Sequence, residues 1–150
     1  MKKNLQNKLN DEKGMTLIEL LAVIVIIAMI AAIAIPAIGN LIDNSRINAL
    51  KADGHSALSA ASIYFAENSG DADVTILELK DGGYLEDVGG LGTATTDKIN
   101  KLGSGNTISA VAKSSTTGTT QVKFNAATNK DISAAGTAAT TGTPKVQITR

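Results

Sequence analysis

Glu19 is the residue whose chemistry stands out first. It lies in Met15-Thr16-Leu17-Ile18-Glu19-Leu20, and from Leu20 to Ile35 sixteen side chains follow without a charge or a polar group. A carboxylate in a segment of membrane length costs about 2.5–3.5 kcal/mol at a helix centre and less near an end. It must find a partner, take up a proton, or reach back to the interface. Other reactive groups are sparse. His55 is the single histidine, and no Ser-His-Asp or metal cluster can be built around it, so it reads as a solvated helix residue. Asp71 with Asp73 and Glu86 with Asp87 are the close acidic pairs in loop-like places, a thin ligand set for calcium, which takes several oxygens. The glycine pairs at 82–83 and 89–90 are turns without a phosphate-loop pattern. No cysteine is present, which removes disulfides, Cys-ligated zinc and thiol catalysis. No cofactor is expected.

The element that carries Glu19 is a long apolar helix. If residues 15–38 are helical they span about 36 Å at about 1.5 Å per residue, enough to cross a hydrocarbon core of about 30 Å. Formal net charge is zero, but four of the 14 basic residues and two of the 14 acidic ones precede Met15, leaving 10 and 12 beyond it. That balance of −2 lacks the polybasic footprint of a nucleic-acid binder, so no sequence-specific nucleic acid is expected. Lys2, Lys3, Lys8 and Lys13 predict that the N-terminus stays cytoplasmic. A secretory signal peptide explains the basic start, but the apolar run exceeds the usual length and no polar stretch precedes the small residues at Ala34–Ala37. A plain membrane anchor explains the run and leaves Glu19 without a purpose.

Lys13-Gly14-Met15-Thr16-Leu17-Ile18-Glu19-Leu20, followed by the unbroken apolar run and Pro36, resembles the N-terminus of a type IV prepilin. The likeness covers roughly residues 11–50, with Met15 standing where most members have Phe. It implies a leader, residues 1–14, removed by a prepilin peptidase that cuts after Gly14 and methylates the new N-terminus at Met15. Cleavage would create an ammonium at Met15, and a carboxylate four residues on lies one helical turn away on the same face. In a filament Glu19 of one subunit could then pair with the Met15 amine of a neighbour and set the axial register; a Glu19 that neutralises or snorkels without a partner remains the alternative. The resemblance further implies a homopolymer, a helical filament whose core is built from residues such as Leu17, Leu20, Leu21, Val23, Ile24, Ile27, Ile30 and Ile33. It implies an inner-membrane assembly platform and an assembly ATPase complex as partners. It also implies residence in the cytoplasmic membrane before assembly and in an extracellular pilus filament afterwards. A pseudopilin of a secretion or competence machine has the same N-terminus, and a membrane-anchored binding or adhesive module is the reading from another class. An enzyme is not expected.

Beyond the apolar segment (15–38), helical spacing continues in Leu41, Ile42, Ile47, Ala49, Leu50, Ala57, Leu58, Ala61 and Phe65. This predicts one helix from about Thr16 to Glu67, ended by Asn68-Ser69-Gly70, with an amphipathic half over 39–70. Pro36 removes a backbone donor and predicts a kink or local unwinding, to which Gly39 adds flexibility. Gly54 in mid-helix marks a bend or a close packing contact. The remainder, 71–150, is expected to form the globular part. Thr75 caps a short helix with Glu78 as its box partner, and Asp81-Gly82-Gly83 stops it. Leu77, Leu79, Tyr84 and Leu85 should lean on the long helix. Alternation predicts strands at 107–115, 120–128 and 144–149, with Ala126 facing inward beside Val122 and Phe124. Thr117-Gly118 fits a turn between the first two, Asn129-Lys130-Asp131 ends the second, and 132–143 reads as a low-complexity loop. The fold class is α+β, the type IV pilin fold: a long helix whose C-terminal half packs on a small antiparallel sheet.

Overall fold

The structure, a computed structural model, describes residues 2–114, 120–136 and 146–150, with side chains from residue 17 onward. In chain order it contains α1 (Lys2–Glu67), β1 (Asp73–Thr75), α2 (Ile76–Asp81), β2 (Lys98–Asn100), β3 (Thr107–Lys113), β4 (Gln121–Ala127), α3 (Asn129–Ala134) and β5 (Val146–Thr149). The chain divides into two compact units, Met1–Leu41 and Ile42–Arg150.

The first unit is helix alone. α1 runs through Pro36 and ends at Glu67, where the Asn68 N–H still donates to the Tyr64 carbonyl before the chain turns at Ser69-Gly70. Its start differs from expectation, since helix reaches back through residues 2–14 to Lys2. Nothing in residues 2–14 stops it: no proline lies before Pro36 and the glycine at position 14 is a single interior one, at a cost of about 1 kcal/mol.

The second unit is an α+β layer. One stripe of α1, Ile47, Leu50, Ala57, Leu58, Ala61 and Phe65, is buried with the inward residues of a five-stranded sheet of order β1-β2-β3-β4-β5. β3 keeps the expected alternation, with Ile108, Ala110 and Ala112 buried. Ala49 is exposed, because it lies between the rows of the stripe that face the sheet.

Gly54 is a packing device. A Cβ placed there would meet Phe124 Cζ at 2.8 Å and Ile132 Cδ1 at 3.3 Å. Phe124 is the largest of the fully buried side chains, and the missing methyl is what lets α1 approach its ring. Gly54→Ala should therefore destabilise the unit although alanine is the better helix former. Overpacking of about 1–3 kcal/mol outweighs about 1 kcal/mol of helix propensity. A melting temperature about 5 °C lower in the full chain is the expected reading; an unchanged or higher value would show that Phe124 yields freely.

Several expectations for the sheet need correction. Three of the neighbouring strand pairs are antiparallel, but β4 and β5 run parallel, with Val122 opposite Val146 and Phe124 opposite Ile148. Parallel neighbours need a crossover connection, and here that connection includes α3. This helix replaces the expected strand end at Asn129-Lys130-Asp131 and the first part of the expected loop. Thr128 and Asp131 form a full capping box: the Asp131 N–H donates to Thr128 Oγ1, and the Thr128 N–H donates back to Asp131 Oδ2 at 2.9 Å. β1 and β2 were not anticipated; at three residues each they offer no alternation to read, yet Val74 and Ile99 are buried. Ala126 is exposed, and Ala127 takes the buried place. Between the pairs Ile108–Ala127 and Ala110–Phe124, β4 holds one residue more than β3, a bulge with Ala126 at φ +50°. The Ala126 N–H donates to Ser109 Oγ at 3.1 Å, outside the regular ladder.

α2 follows its reading closely. The Glu78 N–H donates to Thr75 Oγ1, the Thr75 N–H donates to Glu78 Oε2 at 2.8 Å, and Gly83 at φ +76° leaves the helix in a conformation that favours glycine. Ile76 and Leu79 are buried, whereas Leu77 is exposed rather than leaning on α1. A six-residue helix can turn one face to the core, and positions 76 and 79, three apart, share it. The expected turn at Thr117-Gly118, residues 144–145 of the last expected strand and residues 137–143 of the low-complexity segment lie outside the described residues.

Candidate assembly site and the groups around it

The first unit presents the most unusual surface. Its helix contains an 18-residue window of mean hydropathy 3.0, none of it buried, long and apolar enough to cross a membrane. Leu17, Leu20, Leu21, Val23, Ile24, Ile27, Ile30 and Ile33 are each between 49% and 77% exposed. Water opposes such exposure at about 25 cal/mol per Å², so the segment must lie in lipid or against other chains.

Glu19 is exposed on this helix. Helical geometry puts residue 15 one turn before it and Val23 one turn after, on the same face. In the full chain Gly14 and Met15 both lie within α1, and the nitrogen of residue 15 is an ordinary peptide nitrogen. An ammonium could arise there only by cleavage after Gly14. Helix continues on both sides of Pro36 and past Gly39, and a Cβ on Gly39 would meet open space. Pro36 leaves one i−4 carbonyl without its donor, so this is where the helix is locally least supported.

The second unit holds the remaining polar groups, and most of them fasten elements. Asp97 is buried, and its carboxylate accepts from the N–H groups of Ala94 and Val111, each at 3.3 Å. Its carbonyl accepts from the Ile76 N–H at 3.0 Å, so this one residue ties the 92–97 loop to α2 and β3. Asp53 accepts from the Gly90 N–H at 2.8 Å, and Thr120 Oγ1 donates to Asp43 at 3.0 Å. Asp53 and Asp97 share an open cleft with Arg46, Gly90 and Lys113. Sequence reasoning passed over Asp53 and Asp97. The Gly-rich run at 89–92 was their signal, since only glycine lets the backbone come so close to the carboxylates.

His55 is more than a solvated residue. Its Nδ1 lies 2.7 Å from Asn129 Oδ1, and its Nε2 lies 3.4 Å from Ser133 Oγ, which fastens α3 to α1. Lys51 Nζ donates to the Ala135 carbonyl at 2.6 Å and holds the far end of the same helix. Of the acidic residues weighed as calcium ligands, Asp71 and Asp73 are engaged in other contacts. Asp71 accepts from the Tyr64 hydroxyl at 2.6 Å, and Asp73 pairs with Lys98 at 3.0 Å. Among the described residues no group of three or more His, Cys, Asp or Glu converges on a common point.

Three of the four aromatics, scattered in sequence, meet at the end of α1. Tyr64 stands edge-on to Phe65 at 5.6 Å and to Tyr84 at 5.3 Å, and the Tyr84 hydroxyl donates to Glu67. The hydrogen bond to Asp71, and then the charges of Asp71 and Glu78, push the Tyr64 phenol up to about 12. The neutral phenol is thus the form that the fold favours. Its stabilisation is whole below pH 10, the ordinary tyrosine value, and is lost as pH rises through about 12. An absorbance titration of the phenolate should show one late tyrosine, and Asp71→Asn should bring it back towards 10. A tyrosine already titrating near 10 in the unaltered chain would show that the bond is open in solution. Asp131 shifts the other way, because its bonds to Thr128 favour the carboxylate. Its contribution is present above 3.8 and fades as pH falls through the lower folded-state value.

Comparison with known proteins bears on the first unit. Residues 9–35 match the prokaryotic N-terminal methylation motif, the class III signal peptide of type IV pilins. The motif supports a type IV pilin or a pseudopilin-like prepilin. No curated protein and no solved structure matches the chain.

Proposed function

We propose that this protein is the structural subunit of a type IV pilus, polymerising through its N-terminal helix into an extracellular helical filament. One observation carries the reading: a prepilin methylation motif runs into a helix whose apolar side chains are left exposed over the length of a membrane span. Before assembly the helix lies in the cytoplasmic membrane. A prepilin peptidase cuts after Gly14 and methylates the amine of Met15, and an assembly platform with its ATPase moves the subunit from lipid into the polymer. There Leu17, Leu20, Leu21, Val23, Ile24, Ile27, Ile30 and Ile33 exchange lipid contacts for those of neighbouring helices. Glu19 pairs with the Met15 ammonium of a neighbour, because a charge leaving water needs a partner. Pro36 and Gly39 are where the helix kinks or melts as the subunits pack. The filament serves adhesion, motility or DNA uptake.

Mass spectrometry of the mature N-terminus, combined with negative-stain microscopy of cells and a deletion strain, tests this reading. A methylated Met15 and surface filaments lost on deletion are expected. An intact leader or a cut near Ala37 would overturn it. Loss of secretion or transformation without visible filaments would assign the chain to the pseudopilins instead.

A further inference from the structure

The second unit holds a pocket built wholly from polar groups. It is open, has a volume of about 560 Å³, and forms where Ser62 of α1, the 104–106 loop, residues 128–131 at α3 and Arg150 after β5 come together. Ligand pockets run from about 300 to 1,000 Å³ and are mostly apolar. Here, Gly105 apart, every lining side chain carries nitrogen or oxygen. Such a surface suits a ligand that is polar over its whole length.

Three of the lining groups are held by neighbours and still have bonds to give. Arg150 Nη2 donates to Ser104 Oγ at 2.9 Å, which fixes the guanidinium and leaves most of its N–H donors unused. Asn106 Nδ2 donates to Ser62 Oγ at 3.2 Å and leaves its Oδ1 as an acceptor. Asn129 Oδ1 lies 2.7 Å from His55 Nδ1, which leaves the Asn129 Nδ2 as a donor. Groups held in place beforehand lose less freedom when a ligand arrives.

The charge of the pocket is unbalanced. Lys130 and Arg150 line it against one acid, Asp131. That acid is already engaged, because the Thr128 N–H and hydroxyl both donate to its Oδ2, at 2.9 and 2.6 Å. Both cations are near enough to favour its carboxylate form, so they act on one small volume. One positive charge is left over.

We infer that this pocket binds a sugar carrying a single carboxylate, of the uronic acid class. The ligand carboxylate pairs with the Arg150 fork beside Lys130, and the ligand hydroxyls bond to the Asn106 and Asn129 amides. Two features select this class over a plain anion. A single negative charge matches the surplus. Asn106 Oδ1 and the second Asp131 oxygen are acceptors, which hydroxyls satisfy and a sulfate, itself an acceptor throughout, does not. The site lies within the second unit and stands whether or not the chain polymerises.

Saturation-transfer NMR titrations of the full chain in detergent test the site with three probes: glucuronate, glucose and acetate. Glucuronate should bind about tenfold or more tightly than glucose, which lacks the charge, and than acetate, which lacks the hydroxyls. Arg150→Gln should weaken glucuronate about tenfold, because a charge-assisted forked pair is lost, and Lys130→Gln should weaken it less. Both side chains are exposed, so the near-ultraviolet melting curve of each variant should match that of the unaltered chain. No transfer to glucuronate, acetate or glucose bound as tightly as glucuronate, or glucuronate bound equally by the unaltered chain and both variants would each overturn the site. The readout is binding by the solubilised chain, so it is independent of filament yield.

Discussion

If the chain assembles as proposed, Glu19→Ala should abolish filaments while leaving the protein inserted in the membrane and cut after Gly14. The helix becomes more apolar, because the substitution removes the one charge between Met15 and Ile35. Insertion therefore gains up to about 2.5–3.5 kcal/mol, the cost of a carboxylate at a helix centre. The proposed cleavage junction lies five residues upstream and keeps its glycine. What is lost, under the proposed pairing, is the partner of the Met15 ammonium. A charge held in a low-dielectric bundle after its partner is removed costs about 3–5 kcal/mol, and the cost recurs at every subunit. Three readouts check it: membrane fractionation, mass spectrometry of the N-terminus, and microscopy. Normal filaments from Glu19→Ala would show that the carboxylate is neutral or interfacial and has no role in register.

Phe124→Ala is the substitution expected to damage the second unit most. The ring is 1% exposed and fills the space above Gly54, where α1 has given up its side chain to receive it. Phe→Ala in such a site costs about 3–5 kcal/mol, a large share of the 5–15 kcal/mol available to an ordinary domain. Near-ultraviolet circular dichroism of the full chain in detergent should show the tertiary signal melting far earlier, while helical signal from the first unit persists. Gly54→Ala in the Phe124→Ala background should be neutral or stabilising, since the clash with the ring is gone and Ile132 Cδ1, at 3.3 Å, can give way into the space the ring leaves. Two costs that simply add would mean that the residues do not meet in solution.

The first unit was legible because its signals are local. Sixteen unbroken apolar residues, a lone carboxylate before them and a glycine before that can be read without knowing any tertiary contact. The end of α1 at Asn68-Ser69-Gly70 and the Thr75–Glu78 box were readable for the same reason: each is a hydrogen-bond arrangement closed within a few residues. The Thr128–Asp131 box has the same spacing and was open to the same reading, but strand alternation upstream masked it.

The sequence by itself determined that a charged N-terminal stretch joins a membrane-length apolar helix, that this helix continues as an amphipathic one to Glu67, and that strands follow. Tertiary structure alone decided the rest. β2 exists because the longer β3 beside it offers a ladder, and β1 pairs with β2 in turn; three residues carry no pattern of their own. β5 runs parallel to β4 because α3 carries the chain across, and a strand's direction leaves no mark in its alternation. Ala126 turns outward because a bulge in β4 shifts the register by one residue, which exchanges the two faces beyond it. Gly54 proved to be the seat of a ring seventy residues away, a contact between side chains that only the folded chain brings within reach.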